Sequence, residues 1–317
     1  MKKSIQEIRA EAELPLDLSQ LPIRVTLDIP YCIDGNPAHT LDIALPAQGA
    51  GPFPAVVFIH GGGFYYGYKH NVHTAPAWNT IPAAGFALVS IDYRLTPEAP
   101  WPAQIYDCKA AIRFLREHGS EYGLDPQRIG VWGNSAGGLL AAVLASTGDA
   151  PAYEDQSMGC PNQSSAVQAA CVWYGIYDIP NLQHHWSRIL KSGESPEQED
   201  YDALGALINA PGHDRAAMAA FASAALHVHS EMPPMLLFHG TADHVVPYLQ
   251  SVEFFERYLQ KNNHNQIHLS LLEDAPHGGP AFTEPENLKL VSDFFRKWLI
   301  DSGKQPETQK YSDLCAM

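Results

Sequence analysis

The chain has 317 residues, 45% of them hydrophobic and 17% charged, a balance that excludes a disordered chain and supplies one large core. Its formal net charge of −15 opposes phosphate backbones and anionic bilayers, so nucleic acid is not an expected partner. The five cysteines (Cys32, Cys108, Cys160, Cys171 and Cys315) are scattered without a CxxC spacing, which suggests neither a disulfide framework nor a zinc site.

Residues 1–20 read as a helical extension, with a charged amphipathic helix from Ser4 to about Leu14. Glu7, Arg9, Glu11 and Glu13 interrupt any apolar signal segment, and no later run reaches the roughly 18 apolar residues of a membrane span. A cytoplasmic protein is the expectation. Next come "IRVTLDIPYC" and "HTLDIALPA", two alternating segments split by the turn-rich "IDGNPA", which predict an antiparallel start.

Beyond them the pattern changes to strands alternating with helices. "PAVVFIHGGG", "FALVSIDYRL", "RIGVWGNSAGG", "AACVWYGIYD" and "PPMLLFHGTAD" are short apolar runs of the kind buried on both faces. One-sided helices are predicted from Ile105, Cys108, Ile112 and Leu115, from Val252, Phe255 and Leu259, and from Leu288, Val291, Phe295 and Trp298. The implied class is α/β, one domain over 21–302, with a mostly parallel central sheet, helices on both faces and chemistry at the carboxyl ends of the strands. The alanine-rich stretch from about Ile179 to Met232 breaks the rhythm and reads as an inserted helical lid; residues 303–317 read as a polar tail.

"GNSAG" fits G-x-S-x-G and has the setting that motif needs, a strand before it and a helix after it. Gly133 and Gly137 leave room for a cramped turn that lifts the Ser135 hydroxyl out of the sheet. "FIHGGGFYYG" ends an earlier strand and matches a loop whose main-chain N–H groups face a developing oxyanion; Gly62, Gly63 and Ala136 are the candidate donors.

A serine nucleophile needs a base and the base an orienting carboxylate, in the chain order Ser, Asp, His on such a sheet. Asp243 in "LLFHGTADHVVP" and His277 in "HLSLLEDAPHGG" supply both. Asp178 in "WYGIYDIP" also ends a strand, but Asp243 follows the penultimate strand; Asp178 is then structural or substrate-facing. Asp92 precedes the serine and reads as a loop anchor. His60 reads as a brace of the glycine loop, and the adjacent His184 and His185 diverge too far for one metal. Phe64, Tyr65 and Tyr66 are either core residues or, beside the oxyanion loop, walls of the acyl or alcohol pocket.

On these motifs the chain resembles the hormone-sensitive-lipase-like branch of α/β-hydrolases, from about Thr40 to Leu299. The resemblance implies the same triad of Ser135, Asp243 and His277, the oxyanion donors Gly62, Gly63 and Ala136, and no metal or cofactor. Asn134 stands where that family commonly has Asp. "LTPEAPWPAQ" and "GCPNQSSAVQAACVWYGIYDI" look closest to the subgroup containing acetylxylan and feruloyl esterases, which implies short acyl esters of sugars or aryl alcohols as substrates. A homodimer through the last strand and its helix is a further expectation. A peptidase of the same fold and a non-catalytic binding protein are the alternatives.

Overall fold

The computed structural model describes residues 10, 13–96, 98–191, 194–196, 202–262 and 266–301. Most of the helix expected over Ser4 to Leu14, and the polar tail after 302, lie outside the described residues.

Eight strands form one sheet: β1 (Ile23–Pro30), β2 (Thr40–Pro46), β3 (Phe53–Ile59), β4 (Ala87–Ile91), β5 (Leu124–Asn134), β6 (Ala169–Trp173), β7 (Met235–Gly240) and β8 (Ile267–Leu272). Their spatial order is β1-β2-β4-β3-β5-β6-β7-β8. β2 runs antiparallel to both its neighbours, and every pair from β4 to β8 is parallel. That is the antiparallel start and parallel body read from the residues. The central runs are apolar because both faces are covered: Val56 and Phe58 point to one core cluster, Val57 and Ile59 to the other.

At the outer edge, the β1 ladder slips between Thr26 and Ile29. Asp28 turns out of line there with φ 55°, and its N–H goes instead to the Asp42 carboxylate at 2.7 Å.

The helices are α1 (Ala75–Ala83), α2 (Ala103–His118), α3 (Ala136–Thr147), α4 (Leu182–Ile189), α5 (Ala203–Leu207), α6 (Arg215–Phe221), α7 (Leu249–Lys261) and α8 (Pro285–Leu299). All of α3 is buried, as befits a helix that is apolar all round and packs behind the middle of the sheet. α2 buries Ile105, Cys108, Ile112 and Leu115 as expected, and α8 buries Val291 and Phe295.

α7 requires a correction. The expected inward stripe was Val252, Phe255 and Leu259, yet Leu259 is 39% exposed and the buried residues are Leu249, Gln250, Ser251, Phe254 and Tyr258. Part of the inward face is polar: Gln250 accepts the N–H groups of Tyr177 and Asp178, and Ser251 meets His239. Apolar periodicity is blind to a face recruited by hydrogen bonds.

The described parts of the 179–232 segment rest on the loops that follow β4, the buried helix α3 and β6. Trp101 N–H donates to Leu207 O and the Trp101 ring meets Phe221 edge-on. Tyr153 donates to Phe221 O at 2.9 Å, and Ala225 N–H donates to Tyr177 O. No helix among the described residues is long and apolar enough to cross a membrane.

Candidate active site

β5 ends on Asn134, and the next residue is Ser135, with φ 53° and ψ −118°, followed at once by α3. An L-residue reaches that conformation only when its surroundings enforce it. The enforcement is visible: Ser135 N–H donates to Trp173 O on β6, and a Cβ on Gly137 would lie 2.0 Å from Ile59 O. The turn can close only because the residue at 137 has no side chain.

His277 Nε2 lies 2.8 Å from Ser135 Oγ, and His277 Nδ1 lies 2.7 Å from Asp243 Oδ2. Since the Asp243 carboxylate can only accept, Nδ1 carries the proton and Nε2 presents a lone pair to the serine hydroxyl. Asp243 is 1% exposed. Its Oδ1 accepts the N–H groups of Val245 and Val246, each at 2.8 Å, and His239 Nε2 approaches Oδ2 at 3.3 Å. Burial alone would raise its pKa, but the charge of His277 and hydrogen bonds from His239 and His277 hold the carboxyl well below the usual range. His277 itself is partly open, with 18% of its side chain exposed.

The glycine loop reaches the same corner. Gly62 has φ 119°, and a Cβ there would meet Tyr66 O at 2.1 Å, so the chain folds back on itself only as glycine. Among the described residues the amides of Gly62, Gly63 and Ala136 make no backbone hydrogen bond, which leaves them available to an oxygen in the cleft. The Ala136 amide also opens the twelve-residue α3, where the helix dipole favours negative charge.

His60 is buried; its Nδ1 bonds Gly61 O at 2.7 Å and its ring stacks on Tyr93, as a brace would. Burial pushes its pKa down. Asp92 anchors Lys69 through both the backbone and the ammonium group.

For two of the candidate substrate contacts the structural alternative is the one the packing supports. Phe64 is fully buried in the core and its carbonyl accepts Thr96 N–H, so it is not a pocket wall, whereas Tyr65 is 37% exposed and Tyr66 half-buried. Asp178 is 3% exposed and engaged with Arg257 at 3.1 Å and Asn181 at 2.8 Å, a loop anchor rather than a substrate contact. His185 is likewise committed, to Gln250 and Glu253. Among the described residues no group of His, Cys, Asp and Glu could hold a metal ion.

Reading the sequence missed His239 and Tyr174. His239 lies four residues before Asp243, and its signal was the histidine inside an otherwise apolar strand. Tyr174 is the residue after β6, with its ring 4.6 Å from that of His277. Asn134 ties both sides together: its Oδ1 accepts Gly61 N–H at 3.0 Å and its Nδ2 donates to Tyr174 OH at 3.1 Å.

A mostly parallel sheet with a serine on a strained strand-to-helix turn, and histidine and aspartate on later strand ends, defines an α/β-hydrolase. The BD-FAE family model matches residues 41–258, and the chain belongs to that family of hormone-sensitive-lipase-like esterases.

The chain is 34% identical over 234 residues to the esterase LipQ of Mycobacterium tuberculosis, covering 72% of this chain and 51% of that one. It spans about half the length of the curated relatives it matches. Among solved structures, a truncated carbohydrate esterase from gut microbiota is 26% identical with a TM-score of 0.75, covering 90% of this chain and 99% of that one. A thermophilic esterase from Thermogutta terrifontis with butyrate bound is also 26% identical, at a TM-score of 0.67, covering 87% and 94%.

Proposed function

We propose that the protein is a serine carboxylic-ester hydrolase acting through an acyl-enzyme on short-chain esters, acetyl or feruloyl esters of plant polysaccharides among them. The observation that carries this reading is the continuous line from Asp243 Oδ2 through His277 to Ser135 Oγ, with both links shorter than 2.9 Å. His277 takes the serine proton as Oγ attacks the ester carbonyl, and the amides of Gly62, Gly63 and Ala136 receive the oxyanion. His277 then returns the proton to the departing alcohol, and water repeats the cycle on the acyl-enzyme. Asp243 holds the required tautomer throughout and balances the imidazolium.

The acyl preference draws on relatives: one structural neighbour holds butyrate and another is named a carbohydrate esterase. The test is hydrolysis of p-nitrophenyl esters from acetate to palmitate, with acetylated xylan in parallel, by the wild type and Ser135→Ala. A peak at acetate or butyrate is expected. The variant should lose on the order of a million-fold in kcat while melting like the wild type. Retained turnover in Ser135→Ala would sink the assignment, and an inactive xylan reaction would remove the polysaccharide from it.

A further inference from the structure

Tyr174 follows β6 as Ser135 follows β5, and both residues hold a positive φ, 38° and 53°. Such strain persists only where neighbours impose it, and it gathers at functional sites. The Tyr174 ring packs nearly edge-on against His277 and against Phe282 at 4.7 Å. Its hydroxyl accepts a hydrogen bond from Asn134 Nδ2.

The direction of that bond is forced. Gly61 N–H can only donate, and it takes Asn134 Oδ1, so the amide has only its NH2 end left for Tyr174. Tyr174 therefore gives a lone pair to Asn134 and retains its own proton. Among the described residues that proton meets no acceptor. Burial and the nearby Asp243 push the phenol up to about 12, so it is a neutral donor across the neutral range.

The place of the donor follows from its glycine neighbours. A Cβ on Gly278 would lie 3.2 Å from the Tyr174 hydroxyl, and a Cβ on Gly61 would lie 3.3 Å from both Asn134 Nδ2 and Ser135 Cβ. The hydroxyl thus stands between the residue after the base and the residue before the nucleophile. His277, whose ring packs against that of Tyr174 at 4.6 Å, is the group that must reach the departing alcohol.

We propose that Tyr174 is a leaving-group donor, its O–H hydrogen-bonding to the alcohol oxygen of the ester, with Asn134 setting its direction. The proposal rests on the ester-hydrolase reading above. As the tetrahedral intermediate collapses, the electron pair of the C–O bond moves to that oxygen and His277 Nε2–H supplies the proton. Tyr174 keeps its own proton and lowers the energy of the partial negative charge. Such help matters for aliphatic and sugar alcohols, whose oxygens carry much charge on leaving, and little for p-nitrophenolate. The substrate class implied is the ester of a poor leaving group.

The test compares kcat/KM for acetate esters of p-nitrophenol, phenol, ethanol and a monosaccharide, using the wild type, Tyr174→Phe and Asn134→Asp. Tyr174→Phe should lose about threefold on the p-nitrophenyl ester and on the order of a hundredfold on the ethyl and sugar esters. Asn134→Asp still accepts from Gly61 but offers the phenol an acceptor, turning its proton away, so it should show the same graded loss. An equal loss on all four esters in both variants would mean a structural role and overturn the proposal, as would no loss. If Tyr174→Phe does not fold, the Asn134→Asp gradient decides alone. A wild type inert to all four esters and to a fluorophosphonate overturns the hydrolase reading and the donor with it, whereas an active wild type with ungraded variants overturns the donor only.

Discussion

Asp243 is the residue on which several demands meet. It is buried, ionised, and holds three hydrogen-bond donors, two from its own turn and one from His277, with His239 Nε2 a further 3.3 Å contact. Asp243→Asn keeps the shape but can present an NH2 to His277, favouring the wrong tautomer, so kcat should fall by about 10⁴ with KM little changed. Steady-state kinetics checks this, and a loss under tenfold would give the role to another group. The acid behaviour follows from the depressed carboxyl. Its folded-state pKa lies below the unfolded value of about 4, so its contribution to stability is complete above that pH and is lost as pH falls further. Melting temperatures of the wild type between about pH 7 and about pH 3 should therefore drop more steeply than those of the Asn variant. Ser135, Asp243 and His277 were readable because each lies in a short motif at a strand end, in the expected order. Tyr174 and His239 were not, because their meaning is a partner on another strand: Asn134 and His277 for one, Asp243 for the other.

At the level of elements, the junction of β3, β5 and α3 is where packing is least forgiving. Gly137→Ala would put a methyl 2.0 Å from Ile59 O and 2.6 Å from His60 O, main-chain atoms that cannot swing aside. A destabilisation above about 3 kcal/mol is expected, with activity falling alongside because the same shift moves Ser135 and the glycine loop. Denaturant unfolding measures it; a change under about 1 kcal/mol would show that the turn yields more easily than its contacts imply. The strands were legible because a strand buried on both faces is an unbroken apolar run, as in β3 and β7. α1 was not, since Pro76 and Pro82 blur its pattern although Trp78 and Ile81 are wholly buried. The packing of α5 and α6 was equally hidden: it depends on Trp101 and Tyr153, more than fifty residues upstream.

For the whole molecule the excess of acidic groups is a property of the field around it. An ester bearing a carboxylate should be cleaved about tenfold more slowly than its neutral counterpart at about 0.01 M salt, with the gap closing towards about 1 M as screening shortens to a few ångströms. Rates for the pair at both ionic strengths test this, and a gap indifferent to salt would place its origin in the cleft instead. The outer edge of the sheet carries another whole-molecule consequence. A neighbouring chain adding itself to β1 would find pairing groups in line only from Ile23 to Thr26. Beyond them it would meet the deflected backbone of Asp28 and a carboxylate that is 71% exposed. Although Val25 and Leu27 leave apolar surface on that strand, its interrupted ladder is a poor template, so the edge resists growth into stacked sheets at high protein concentration.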